Sequence, residues 1–262
     1  MNYKEQARAA RLKVLNMIFR AQTSHISSNF SSIDILSVLF ANSTISKKLE
    51  ETEDKIIISK GWVAAAFIYF LSYKGIIPKK DLNRFCEKDE KEYIGLLEPS
   101  IRGVPFAGGS VGMGLSAGVG YALSKQWDKL PGRVYVLEGD GGLQCGIVYE
   151  SAMNAGRLKL GNLTMIIDNN GWCATGKTKD ILNIEPIEPK FEAMGWHAVR
   201  INGHDYWAIE KTLKELPNDR PSILIADTQK GKGCSFMEAD PLKWHYWHLN
   251  KTDYEKALAE LH

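Results

Sequence analysis

The sequence predicts an α/β chain: a parallel β-sheet covered by helices on both faces. Three observations predict it. Val134–Leu137 and Leu163–Ile167 are short apolar, β-branched runs, the pattern of strands buried on both sides, and Ile147 to Leu158 between them carries helical spacing. Similar runs at 56–59, 197–201 and 222–227 alternate with helical stretches, the order that builds parallel sheets. Finally, 262 residues at 44% hydrophobic content suffice for one large core, so residues 1–262 read as a single domain.

Taken in order, the chain opens on MNYKEQARAARLK, a charged amphipathic helix start whose apolar stripe, Ala10, Val14 and Ile18, continues to Gln22. Thr23-Ser24-His25 interrupts it. Ser31 or Ser32 is the expected N-cap of a second helix, which leaves His25 in a polar inter-helix loop. After strand 56–59 come Lys60-Gly61-Trp62 and a helix over Ala64–Tyr73. Ile76–Glu90 reads as a polar surface helix and Tyr93–Pro105 as irregular. Phe106 to Ser116 holds four glycines, then a helix with Ala117, Gly118 and Ala122 small on one face, so backbone can approach a ligand and a packed neighbour. Further on, Glu188–Gly195 is a glycine-capped helix, and Asp205 is the N-cap of a helix over Tyr206–Leu216. Lys230-Gly231-Lys232-Gly233 follows the last strand, where a basic turn can line a diphosphate channel.

The chemistry concentrates at two strand ends. Glu138-Gly139-Asp140-Gly141-Gly142 is too glycine-rich to continue a strand or a helix, and the next strand stops at Asp168-Asn169-Asn170-Gly171. Neighbouring parallel strands set these ends side by side, where open α/β sheets hold ligands. Asp140 and Asn170 can therefore meet although 30 positions separate them. A carboxylate, an amide oxygen and a backbone carbonyl are hard ligands suited to Mg²⁺ or Ca²⁺ bridging a diphosphate. Other classes find no support. A net charge of +2 with interspersed signs gives no reason to expect nucleic acid. Cys86, Cys145, Cys173 and Cys234 form no C-x-x-C pair. No run reaches the roughly 18 apolar residues of a membrane span, and the amino end is no signal peptide, so the expectation is a cytoplasmic protein.

Gly139-Asp140-Gly141 followed by Asn170 resembles the signature of thiamine diphosphate (ThDP) enzymes. Within them the chain resembles the N-terminal, pyrophosphate-binding half of a transketolase, in the version where that half is a separate chain. The likeness runs from about residue 5 to 250. It includes TSHISSNFSSIDIL, Lys60-Gly61, the glycine turn, FEAMGWH with NGHD, and Met237-Glu238 with Trp244-His245. The resemblance implies a ThDP-binding fold and assigns roles by position. Asp140, Asn170 and the Trp172 carbonyl would be metal ligands. Gly109 and Val111 would meet the aminopyrimidine through their backbone, and Gly139, Gly141 and His245 would contact the cofactor. His25 and His245 would serve proton transfer or substrate binding, which imidazole can do near neutral pH. His197 and His204 read as structural. The implied reaction moves a two-carbon ketol unit from a ketose to an aldehyde. The glutamate that activates the aminopyrimidine is expected from a separate pyrimidine-binding chain, two copies of each forming the enzyme.

This chain also departs from the family pattern. Trp62 stands where S-K-G-H has its histidine, Ile26-Ser27-Ser28 replaces Pro-Gly-Gly, and Glu98 falls near the position of a Gly-His-Pro histidine. Met113 replaces a glutamine. Cys145 replaces an interface glutamate, although Glu150 keeps a later one. The lost histidines leave other readings open: 2-keto-acid decarboxylation, carboligation, or ketol transfer to an unusual, even nucleotide-linked, sugar. A further reading is an inactive scaffold or regulatory relative.

Overall fold

The computed structural model describes residues 2–262. In chain order the elements are α1 (Tyr3–Ala21), α2 (Ile26–Asn42), β1 (Lys55–Ile58), α3 (Ala64–Tyr73), α4 (Met113–Trp127), β2 (Val134–Gly139), α5 (Gly146–Arg157) and β3 (Leu163–Asn169). After them come α6 (Thr178–Ile181), α7 (Glu188–Ala193), β4 (His197–Asn202), α8 (Tyr206–Glu215), β5 (Ser222–Asp227), α9 (Ser235–Ala239), α10 (Lys243–Tyr246) and α11 (Lys251–Leu261). The five strands form one sheet in the order β1-β2-β3-β5-β4, and every neighbouring pair is parallel.

Alternation along the strands sorts the core into two layers. Ile56, Ile58, Tyr135, Leu137, Ile166 and Leu224 pack with α1, α2, α3, α8 and α11. Ile57, Val134, Val136, Met165, Ile167 and Ile225 face the other way, toward α4, α5 and α7. The sheet is therefore covered on both faces, as expected. Close packing of α4 depends on its glycines. A methyl group at Gly118 would lie 2.5 Å from Val136 Cγ2, and one at Gly114 would lie 2.4 Å from Ser59 Cβ. Gly118→Ala gains up to about 1 kcal/mol of helix propensity. It also overpacks a rigid seam at a cost of about 1–3 kcal/mol, so thermal melts should show a net loss of stability.

Two expectations of element boundaries are corrected. The second helix starts at Ile26, not beyond Ser31, and His25 is its N-cap residue in left-handed backbone (φ 70). Ser31 and Ser32 do not cap it; each donates its hydroxyl to Asp168 Oδ2, both at 2.6 Å. Residues 76–90 form no long helix, only a 3-10 turn at Lys79–Asn83. Here Glu90 accepts from the backbone N–H of Lys91 and Glu92 and pairs with Arg84, side-chain bonds that compete with the helical ladder. The N-cap at Asp205 forms as expected, accepting from Trp207 N and Ala208 N.

Candidate active site

The strand register builds the site. Gly139 pairs with Asp168, Ile58 with Leu137, and Asn169 with Asp227. The carboxyl ends of β1, β2, β3 and β5 thus lie in one row. One polar residue leaves each tip: Lys60, Asp140, Asn170 and Lys230. All four line a cavity of about 120 Å³, together with Trp62, Val111, Glu138, Gly139, Gly141, Trp172 and His245.

Asp140 sits at its floor, 2% exposed. Its Oδ2 accepts from Gly171 N (2.6 Å) and Thr178 Oγ1 (2.9 Å), so a β2 carboxylate is tied to the turn that follows β3. Burial pushes its pKa up, and the Thr178 hydroxyl and Lys60 offset only part of this. Asp140 makes no salt bridge among the described residues. Asn170 Oδ1 accepts from Trp172 N at 3.1 Å, which closes the turn. No cluster of three His, Cys, Asp or Glu exists among the described residues, so a cation here relies on one carboxylate supplemented by amide and carbonyl oxygens. A buried carboxylate with no cationic partner in contact among those residues fits such an ion.

Two lysines flank this acid. Lys60 Nζ meets Asp168 Oδ2 at 2.5 Å. Complete burial alone would raise Asp168, but Lys60 and the serine hydroxyls hold it down at about 2. Lys230, 1% exposed, points its Nζ toward the Trp172 carbonyl (3.5 Å) and His245 Nδ1 (3.0 Å). Burial and the nearby Lys60 lower its pKa to about 8. His245 is lowered to about 3 by burial and Lys230, so it is neutral near pH 7. An ammonium can only donate, so Nδ1 accepts and the ring proton sits on Nε2 as a hydrogen-bond donor.

His25 lies beside this group rather than in the cavity lining. Its ring is 4.7 Å from that of His245, edge-on, and its backbone N–H donates to the His245 carbonyl at 2.9 Å. Trp62 stacks flat on His25, centroids 4.3 Å apart and 9° between planes, and remains 41% exposed. The indole is therefore a pocket wall, not a core residue.

Val111 lines the cavity, whereas Gly109 and Glu98 do not. Cys145 heads α5, where burial and then Glu138 raise its pKa, which keeps the thiol protonated near neutral pH. His204 is held in a structural network: Nδ1 meets Asp34 Oδ2 at 2.7 Å and Nε2 accepts from Gln229 N at 2.8 Å. Among the charged lining residues, Lys230 was legible in the basic turn expected at a diphosphate channel, and Lys60 only as a basic strand end. Glu138 carried no signal. It is fully buried, accepts from the Ser59 hydroxyl and Gly139 N, and is pushed up to about 7 by burial. Its carboxylate fills the space beside Gly142, where an added methyl group would lie 2.1 Å from Glu138 Oε1.

A doubly covered parallel sheet with a lysine-flanked acidic cavity at its strand tips defines an α/β domain of the cofactor-binding class. Residues 3–257 match the family described as transketolase, thiamine diphosphate binding domain, and the chain belongs to that family. It is 31% identical to an apulose-4-phosphate transketolase subunit of Phocaeicola vulgatus, across 98% of this chain and 92% of that protein. It is also 31% identical to the 6-deoxy-6-sulfo-D-fructose transketolase subunit SqwG of a Clostridium species, across 100% and 96%. The crystal structure of Campylobacter jejuni transketolase superposes with a TM-score of 0.91 at 30% identity, covering 100% of this chain and 43% of that one. The chain thus spans less than half of that transketolase and nearly all of the two relatives named as subunits. No helix among the described residues is long and apolar enough to cross a membrane.

Proposed function

We propose that this chain is the pyrophosphate-binding subunit of a two-chain, Mg²⁺- or Ca²⁺-dependent transketolase. In this reading it moves a ketol unit from a ketose to an aldehyde, as a cytoplasmic assembly of two copies of each chain. The observation that carries the reading is the row of four strand tips, which unites one buried acid, one amide and two lysines around a single cavity. Asp140, Asn170 and the Trp172 carbonyl would hold the cation. Lys60 and Lys230 would balance diphosphate charge, and Gly139 and Gly141 leave room for it to lie against backbone. Val111 and Gly109 would border the pyrimidine. When bound, the cofactor supplies the nucleophilic carbon that accepts the ketol fragment.

The chain's own residues then orient substrate. His245 offers a fixed Nε2–H to a substrate oxygen, and neutral His25 sits one ring away to bind a hydroxyl or receive a proton. Trp62 supplies no proton; its exposed indole narrows the opening and excludes water. That relatives matched over nearly all of their own length are named as transketolase subunits supports a second chain. This partner would bring the glutamate that activates the pyrimidine and cover the exposed Val111, Met113 and Glu150. Trp62 also favours a second reading, a ketol acceptor or ThDP reaction different from that of pentose phosphates.

Two measurements test this. Calorimetry should show ThDP binding that requires Mg²⁺. Ketol transfer from a ketose phosphate should appear only when a pyrimidine-binding chain is added, and CO₂ release from keto acids should stay absent. Full turnover by this chain alone would refute the two-chain arrangement, and absence of cofactor binding with both chains present would refute the reading altogether.

A further inference from the structure

Helix α4 begins without a cap of its own. Its N-cap residue is Gly112, in left-handed backbone (φ 82), with no side chain to accept from the first turn. A helix leaves its first N–H groups without intrahelical partners, and a buried one costs free energy until something accepts from it. Here the acceptors come from two strand tips. The Ser59 hydroxyl, just past β1, accepts from Gly114 N at 3.0 Å. The same hydroxyl donates to Oε2 of Glu138 on β2, and Glu138 Oε1 accepts from Gly139 N at 2.9 Å. Burial raises the pKa of Glu138, whereas Ser59, the Gly139 N–H, Lys60 and the Gly112 N–H favour its charged form. A negative group at a helix N-terminus is also favoured by the helix dipole. Ser59 and Glu138 are both fully buried.

This relay holds one end of the glycine turn that precedes α4. Close contact fixes the other end. An added methyl group at Gly108 would lie 2.4 Å from the Ile58 carbonyl oxygen, and one at Gly61 would lie 2.2 Å from the Gly108 carbonyl oxygen. Val111 hangs between these two anchors, 42% exposed, and lines the cation cavity together with Glu138. Gly108, Gly109 and Gly112 leave the segment much backbone freedom, so its shape depends on what anchors it.

We propose that Glu138 is a positioning residue: through Ser59 and the first amides of α4 it holds the Gly108–Gly112 turn, and with it Val111, in the conformation that meets the pyrimidine end of the cofactor. This role rests on the cofactor reading above, whereas the anchoring is built by this chain alone and is measurable without a cofactor. Glutamine keeps the shape of Glu138 but replaces one carboxylate oxygen by a donor. Either Gly139 N or the Ser59 hydroxyl then loses its acceptor.

The test uses the full chain. In hydrogen exchange followed by mass spectrometry, Glu138→Gln and Ser59→Ala should each speed exchange of the 108–115 segment at least about tenfold, with β3 and β5 unchanged. Calorimetry in the presence of Mg²⁺ should show ThDP bound about five- to tenfold more weakly, while inorganic pyrophosphate, which lacks the pyrimidine, stays within about twofold of the wild type. The double variant should lose no more than the stronger single one, because both residues act through one relay. A carboxylate that only stabilises the fold would shift the melting temperature without changing the ratio of ThDP to pyrophosphate affinity. Unchanged exchange at 108–115, or equal losses of ThDP and pyrophosphate affinity, overturns the proposal, and Ser59→Ala alone decides these outcomes if Glu138→Gln does not fold. If ThDP failed to bind even with a pyrimidine-binding chain present while the exchange effect persisted, the cofactor reading would fall and the anchoring of the turn would stand.

Discussion

Asp140→Asn is expected to weaken Mg²⁺-dependent ThDP binding at least about 100-fold, measured by calorimetry, without lowering the melting temperature of the cofactor-free chain. The two effects have one cause. Asp140 is buried, its pKa is raised by that burial, and no salt bridge offsets its charge among the described residues. For a carboxyl group this shift means that the ionised form costs the folded state free energy near pH 7. Asparagine removes that cost and keeps an oxygen able to accept from Gly171 N. It also removes the negative charge that a divalent ion needs. Thr178→Val, which deletes only the hydroxyl donated to Asp140 Oδ2, should weaken binding by a smaller factor of about ten. If Asp140→Asn bound ThDP and Mg²⁺ like the wild type, the cation assignment would fail.

The second large effect lies away from the cavity. Asp34 on α2 accepts from Arg11 Nη1 and Nη2 (2.9 and 2.7 Å), from the Tyr206 hydroxyl (2.9 Å) and pairs with His204 (2.7 Å). This one carboxylate joins α1, α2 and α8, and through His204 it fixes the turn that carries Lys230. Asp34→Ala would leave Arg11 buried without its partner, a cost of about 3–5 kcal/mol. The melting temperature should fall on the order of 10 °C; a change under about 2 °C would show that the network is dispensable. The same group predicts an acid limb. Burial raises Asp34, but Arg11 and His204 outweigh it and hold the pKa at about 2, against 3.8 unperturbed. A depressed carboxylate stabilises the fold above its unfolded pKa. That contribution, roughly 2 kcal/mol, is therefore complete above about pH 4 and lost between about pH 4 and 2. Denaturant titrations across that window should show the decline, and the Asp34→Ala chain should lack it.

The helix expected over 76–90 shows where local pattern misleads. Its charged residues satisfy helical spacing, yet Glu90 finds nearer partners in its own backbone and Arg84. Ser31 and Ser32 mislead for the opposite reason. They read as caps because a serine beside an apolar run normally has no better acceptor, but Asp168 reaches them from a strand more than a hundred residues away. Asp140 and Asn170 were legible because each follows the end of its own strand and two consecutive parallel strands set their tips together.

By itself the sequence determined the alternating elements, the two-sided burial of the strands and the acid-amide pair, since apolar periodicity and glycine-rich strand ends are local properties of the chain. Only the tertiary structure decided that β5 inserts between β3 and β4, bringing Lys230 beside Trp172 and His245, that Glu138 occupies the space at Gly142, and that Trp62 lies flat on His25. Those outcomes depend on strand order and on which side chain reaches a shared void first, and such competition between distant segments leaves no period or spacing in the sequence to read.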